Sequence, residues 1–262
     1  MERTHRKAQA AREQRPDFIP TRNNILKRLS PSESSRLNPL LEDVPLTFKE
    51  ILYEQDEPVD YVYFVETGVV SLITVLEDGD VVETGTVGNE GLVGLTALLG
   101  TELSTDRTIV QAEGRAKRMR ASALKEEFDR GSPIVRLILR YTEGVLKMVS
   151  QTAACNRMHP VEERMSRWLL MTVDRVGDNS VTLTQEFMAQ MLGVRRPAVN
   201  IAGSTLQKAG LIRYSRGRIT VLDRKGLEAA SCECYARIRD EFIRVFEVTP
   251  DNRRATGRSR GR

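Results

Sequence analysis

Eight basic side chains lie between Thr184 and Lys225: Arg195, Arg196, Lys208, Arg213, Arg216, Arg218, Arg224 and Lys225. Only two acids, Glu186 and Asp223, share that stretch, leaving a local net charge of +6. The chemistry open to such a set is phosphate binding. A guanidinium offers a rigid fork of N–H donors, and each phosphate it neutralises releases condensed counterions. Asn200 and Ser204 add neutral hydrogen-bonding groups among the cations, and Ile201 adds an apolar one. A solvated basic face on an ordinary helical domain is the other reading.

The elements that must carry these residues argue for the first. Thr184–Gly210 reads as two short helices around a tight turn. Ala189 sits at the close contact of the first helix, Gly193 falls at the turn four residues on, and Val199 follows six residues later. Met188, Leu192, Val194 and Ala202 fill the remaining inward positions. Glycine permits the positive φ of a sharp turn, and Pro197 suits a first helical turn, where a missing N–H costs nothing. With Val199, Ala202 and Leu206 inward, Arg196, Asn200 and Ser204 face outward at spacings of four. Leu211–Tyr214 and Ile219–Leu222 alternate around Ser215-Arg216-Gly217-Arg218, the pattern of a hairpin wing.

Other chemistries find little support. The two histidines, His5 and His159, allow no catalytic triad, and no phosphate-cradling loop is present, so an enzyme is not expected. Cys155, Cys232 and Cys234 make neither a disulfide framework nor a four-ligand metal set. On a closing helix read as Leu227–Phe246, Cys232 and Cys234 stand two apart and would not share a face. Neither a metal nor a certain cofactor is therefore expected. No run of about 18 apolar residues exists to span a membrane, and the first residues, MERTHRKAQAAREQRP, lack the apolar segment of a secretory signal. A reducing cytoplasm is the expected location.

Charge also divides the chain. Residues 31–110 hold 16 acids against Arg36, Lys49 and Arg107, a net of −13, while 1–30 carry +5 and 250–262 carry +4. Within 44–120 short alternating runs recur: Pro45–Tyr53, Tyr61–Glu66, Gly68–Val75, Val81–Val87 and Arg107–Arg120. Many short strands at regular spacing indicate a small barrel or jelly roll. The expected class is α+β, in five parts: a disordered basic arm over 1–20, a β-roll over 21–130, a long helix over 131–158, a winged helix-turn-helix over 159–230, and a C-terminal helix with a basic tail over 231–262.

The long helix carries its own pattern. Ile134, Ile138, Tyr141, Val145, Met148, Thr152 and Cys155 follow at spacings of 4, 3, 4, 3, 4 and 3, which is a two-heptad seam. It predicts a parallel homodimer through Ile138, Tyr141, Val145, Met148, Thr152 and Cys155; a core helix of a monomer is the alternative. On that seam Cys155 could form an inter-subunit disulfide.

The order of β-roll, long helix and winged helix-turn-helix resembles the Crp/Fnr superfamily of bacterial transcription regulators over roughly residues 20–230. The resemblance is carried by Ile51–Tyr53, by Val62-Tyr63-Phe64-Val65 with Gly68 and Val70, by Gly91-Leu92-Val93-Gly94, by Arg107-Thr108 and by the helix-turn-helix. It implies a dimer on double-stranded DNA, RNA polymerase as a partner, and a β-roll that senses an effector. In the family's nucleotide binders a Gly-Glu pair holds the ribose and an Arg-Ser/Thr pair holds the cyclic phosphate. Gly94, Arg107 and Thr108 match that pattern, and Ser150 and Thr152 lie where the long helix reaches the base. Leu95 stands in place of the glutamate and cannot accept a hydrogen bond. Cyclic AMP binding is therefore expected to be weak or absent, and Arg107 is equally open to a surface pair with Asp106 or Glu102. The resemblance makes Arg196 the guanine-reading arginine. Chemistry then suggests adenine for Asn200, a thymine methyl for Ile201, and phosphates for Arg195, Ser204, Arg216 and Arg218. A cyclic-nucleotide module acting through protein partners is the alternative function, and salt-sensitive DNA binding separates the two.

Overall fold

The computed structural model describes residues 21–247. The basic arm at 1–20 and the tail beyond 247 lie outside them. Among the described residues no helix is long and apolar enough to cross a membrane. The chain forms two compact units, one of residues up to Ile138 with Arg175–Gly177, the other of Leu139–Asp174 and the residues from Asp178 onward.

The first unit is a β-roll with helices at both ends. Its helix α1 (Pro31–Leu37) opens on a capping box between Ser30 and Glu33. Strands β1 (Glu42–Leu46), β2 (Ile51–Tyr53), β3 (Tyr61–Val75), β4 (Val81–Val87), β5 (Leu92–Val93) and β6 (Arg107–Arg120) form one antiparallel sheet. Its order is β1-β6-β3-β4, with β2 also on β6 and β5 also on β3. The two strands expected at Tyr61–Glu66 and Gly68–Val75 are one, β3, whose pairing with β6 shifts register between Val65 and Val70. Val62, Tyr63, Phe64 and Val65 are buried in succession, so both faces of β3 are covered there. Helix α2 (Ala121–Asp129) follows, and α3 (Pro133–Met158) starts in this unit.

One carboxylate ties two helix starts together. Glu33 is 1% exposed; Oε2 accepts from the main-chain N–H of Ser30 at 2.8 Å. Its Oε1 accepts from the N–H of Ile134 in the first turn of α3 at 2.6 Å. Orphan N–H groups at helix N-termini need such acceptors. Nearby, Arg36 grips Glu127 through Nε and Nη2 at 2.8 and 2.6 Å. That pairing, with the Ser132 hydroxyl, holds the Glu127 carboxyl down at about 2.

The second unit contains the rest of α3, then α4 (Val161–Val176) up to Asp174, β7 (Ser180–Thr182), α5 (Gln185–Leu192), α6 (Arg196–Lys208), β8 (Ile212–Ser215), β9 (Arg218–Val221), α7 (Arg224–Ala229) and α8 (Cys234–Glu247). β9 pairs with both β7 and β8. Trp168, Leu169 and Leu170 of α4 are buried, as are Val199, Ala202, Leu206, Ile219 and Leu227 of the same unit.

Two expectations need correcting. The predicted closing helix Leu227–Phe246 is two helices, α7 and α8, separated by residues 230–233. The break frees Cys232 from the helical register that kept it away from Cys234. The second correction concerns the seam of α3. Tyr141, Met148, Thr152 and Cys155 are at most 3% exposed within the single chain, as is Ile138, and Val145 is only part-exposed. The face is filled from within: Tyr141 meets Phe242 of α8 with ring centroids 5.9 Å apart, and Lys147 pairs with Glu241. Gly144 permits the close approach, since a Cβ there would meet Val245 Cγ2 at 3.1 Å. A heptad stripe states that a partner helix exists; here α8 of the same chain packs on it. The stripe that stays open is one step round the helix, with Leu139 at 50% and Leu146 at 65% exposed.

Candidate nucleic-acid interface

Thr184 begins the motif as an N-cap, its hydroxyl accepting from the N–H of Phe187 at 3.1 Å. Gly193 ends α5 in the left-handed region at φ 58°, and the N–H of Val194 returns to the carbonyl of Ala189 at 3.0 Å. α6 starts at Arg196, with Pro197 in its first turn and Arg195 as the residue before it. Val199, Ala202, Gly203 and Leu206 are its buried side. Arg196, Asn200, Ile201 and Ser204 are exposed, the isoleucine at 64%. The predicted outward face is thus presented as one surface, with Arg195 exposed at its head.

The wing closes on a two-residue turn in which Arg216 and Gly217 both have positive φ, 50° and 76°. That is the geometry of the twisted hairpin turns. Arg216 and Arg218 are exposed on either side of Gly217. One cation of the basic stretch is committed elsewhere: Arg224 contacts Asp174 at 2.6 Å and Glu228 at 2.9 Å and donates to the Tyr235 hydroxyl at 2.8 Å. Burial and the Asp174 carboxylate push that hydroxyl up to about 12.

Sequence reasoning missed the residues that support this surface. Gln185 of α5 accepts from Nε of Arg196 at 3.4 Å. Arg164 of α4, only 6% exposed, donates from Nη2 to the carbonyl of Leu192, the last residue of α5. Burial lowers the pKa of this guanidinium. Gln207 accepts from the N–H of Tyr214 at 2.8 Å, fastening α6 to the wing. An arginine in an amphipathic helix normally reads as solvated, so nothing in the sequence singled out Arg164.

The effector candidates divide between the units. In the first, Gly94 precedes a short 3-10 turn over Leu95–Leu98, and the Tyr53 hydroxyl donates to the Tyr61 carbonyl beside it. Thr108 is buried. Arg107 is paired, with neither expected acid: its Nε donates to Glu54 Oε2 at 2.7 Å. Glu102 instead binds Lys125, and burial raises the carboxyl of Asp106. In the second unit Ser150 is exposed, while Thr152 is buried with no hydrogen-bond partner for Oγ1 among the described residues.

The absence of a four-ligand set is also corrected. Cys155, His159, Cys232 and Cys234 of the second unit place one ligand atom each within 4.8 Å of all the others. The inter-subunit disulfide from Cys155 falls with the seam, because that thiol is fully buried against Cys232 and Cys234.

Comparison with known proteins agrees with this arrangement. The model of the Crp-like helix-turn-helix domain matches residues 163–230, and that of the cyclic nucleotide-binding domain matches residues 44–130. The chain is 25% identical over 218 residues to the CRP-like cAMP-activated global transcriptional regulator of Mycobacterium tuberculosis, across 80% of this chain and 97% of that protein. Among solved structures, FixK2 from Bradyrhizobium japonicum matches with a TM-score of 0.61 at 21% identity, over 73% of this chain and 98% of that one. The c-di-GMP responsive global regulator CLP of Xanthomonas campestris matches at 0.58 and 17%, over 72% and 97%. With both domain models matched in the order that the fold shows, the chain belongs to the Crp/Fnr superfamily of DNA-binding transcription regulators.

Proposed function

We propose that this regulator binds a two-fold symmetric operator as a homodimer, and that its β-roll responds to an effector other than tightly bound cyclic AMP. The observation that carries the DNA reading is the single exposed surface of Arg195, Arg196, Asn200, Ile201 and Ser204, flanked by Arg216 and Arg218. α6 enters the major groove. Arg196 reads guanine O6 and N7, Asn200 pairs with adenine, Ile201 touches a thymine methyl, and the remaining cations with Ser204 hold phosphates. RNA polymerase is the further partner that family membership implies, and the cytoplasm is where such a regulator works.

The dimer forms through the open stripe of α3, Leu139, Leu146 and Ala153, at spacings of seven. Two exposed leucines on a heptad are costly in water and are covered when a second copy packs there.

The effector reading rests on Arg107 and Leu95. The phosphate-binding arginine is neutralised by Glu54, and the leucine offers the ribose no acceptor. A cAMP-activated regulator and a c-di-GMP responsive one are both similar to this chain, so similarity alone does not select cyclic AMP. Calorimetry with cyclic AMP tests the reading: sub-micromolar affinity would overturn it. For the DNA reading, steep loss of binding with rising salt is expected, and salt-insensitive association would favour a module that acts through protein partners.

A further inference from the structure

The residues Cys155, His159, Cys232 and Cys234 come from three places: the end of α3, the residue just past it, and the α7–α8 junction. Cys155 and His159 are one helical turn apart, and the N–H of His159 still bonds the carbonyl of Cys155. The break before α8 lets Cys232 and Cys234 turn toward the same point. Cys155 Sγ lies 3.5 Å from Cys232 Sγ, and Cys234 Sγ lies 3.6 Å from His159 Nδ1. A tetrahedral ion with bonds of about 2.3 Å to sulfur and about 2.0 Å to nitrogen has ligand edges of roughly 3.8 Å for S···S and 3.5 Å for S···N. The observed edges are close to these. They are far longer than the bond of a disulfide, about 2.05 Å, and all three cysteines are free.

We propose that these four side chains are the ligands of a structural zinc ion. Three thiolates and one imidazole suit zinc, and no carboxylate or carbonyl oxygen belongs to the set, which argues against calcium or magnesium. Four protein ligands leave no open position for substrate, and the cysteines are at most 5% exposed, so the role is structural.

The surroundings are those of a metal-bound set. His159 offers Nδ1 inward while Nε2 lies 3.3 Å from Glu233 Oε2; a carboxylate there fixes the tautomer that leaves Nδ1 free to bind. Gln151 Nε2 donates to Cys234 Sγ at 3.1 Å, a contact that a thiolate accepts well. Zinc with three thiolates carries one negative charge, which needs buried cations. Arg164 and Arg167, 6% and 4% exposed, both act electrostatically on Cys155. Among the described residues the Nε of each is buried without an acceptor. Zinc uptake displaces the thiol protons and joins α3 to the start of α8, the helix that covers the α3 seam, so metal binding adds to folding stability.

The test uses the full-length protein, purified under reducing conditions without an affinity metal. Elemental analysis is expected to give about one zinc per chain. Cys234→Ser and Cys232→Ser should each lower the zinc content and the thermal midpoint. Because those variants could fail to fold, the wild-type protein is also stripped with a chelator and refilled with cobalt(II). Tetrahedral thiolate-ligated cobalt should appear as visible d–d bands with a sulfur-to-metal charge-transfer band, and zinc should abolish both. Stripped protein that gives no such bands when cobalt(II) is added would overturn the proposal, and stoichiometric iron in place of zinc would overturn the assignment of the metal.

Discussion

The buried guanidinium of Arg164 donates through Nη2 to the main-chain carbonyl of Leu192, the last residue of α5. The final carbonyls of a helix lack intrahelical partners, and here a charged donor satisfies one of them at the turn of the DNA-binding motif. Arg164→Met should destabilise the second unit by about 1.5–3 kcal/mol, the range for a hydrogen bond to a charged group. Thermal unfolding measures it. DNA affinity should fall for all sequences alike, because the change loosens the motif without removing a base contact.

Arg196 should behave differently. Arg196→Ala is expected to cost about 1–3 kcal/mol of operator affinity and to relax one base position, as a bidentate base contact does. Binding to an operator series varied at each position checks this. Equal weakening across the series would make Arg196 a phosphate contact. Gln185→Ala should give a milder version of the same relaxation, because Gln185 only holds the Nε of Arg196.

How much of this was legible in the sequence depends on where each partner lies along the chain. The helix-turn-helix could be read because its determinants, from Ala189 to Val199, are local and repeat the helical period. The wing and the strand Arg107–Arg120 are legible from an equally local signal, the alternation of period two. The stripe of α3 is legible in the sequence, but its partner is not: a heptad repeat is blind to whether the covering helix belongs to the same chain, and α8 begins some eighty residues later. The Cys–His cluster did leave a signal. Cys155 and His159 stand four apart on one helical face, and Cys232-Glu233-Cys234 is a compact pair. Reading α7 and α8 as one helix hid it, by placing Cys232 and Cys234 on different faces. The Arg107–Glu54 pair joins the start of β6 to the residue just past β2, 53 apart along the chain, with no local pattern to announce it.

The open stripe of α3 gives a dimer prediction. Leu146→Glu should raise the dimer dissociation constant by about a hundredfold or more, since two buried leucines are lost per dimer at about 1.5–3 kcal/mol each. Sedimentation at micromolar concentration reads this out. Tyr141→Ala, on the stripe covered by α8, should lower the thermal midpoint of the chain instead.

Acid stability should depend on Glu127. Arg36 and Ser132 hold its carboxyl at about 2 in the folded chain, below its usual 4.5. A depressed carboxyl contributes stability in full above the unfolded value. That contribution is lost as pH falls from about 4.5 toward 2. Glu127→Gln should therefore be less stable than wild type at neutral pH, with the difference shrinking across that window. Urea midpoints at stepped pH measure it, and a constant gap would contradict the assignment.

The Arg107–Glu54 pair predicts a gain as well as a loss. Glu54→Gln releases the guanidinium and should raise affinity for cyclic AMP by about tenfold from its weak starting value, as one charge-assisted contact becomes available. Calorimetry on both proteins compares them.

Selection of genomic DNA fragments by the purified protein, with and without cyclic AMP, tests the central claim most directly. The account predicts enrichment of a palindrome whose half-site centres are about one helical turn, roughly 34 Å, apart, to the same extent in both samples. Enrichment of a single unpaired half-site would contradict the dimer, and enrichment only with the nucleotide would contradict the reading of Arg107 and Leu95.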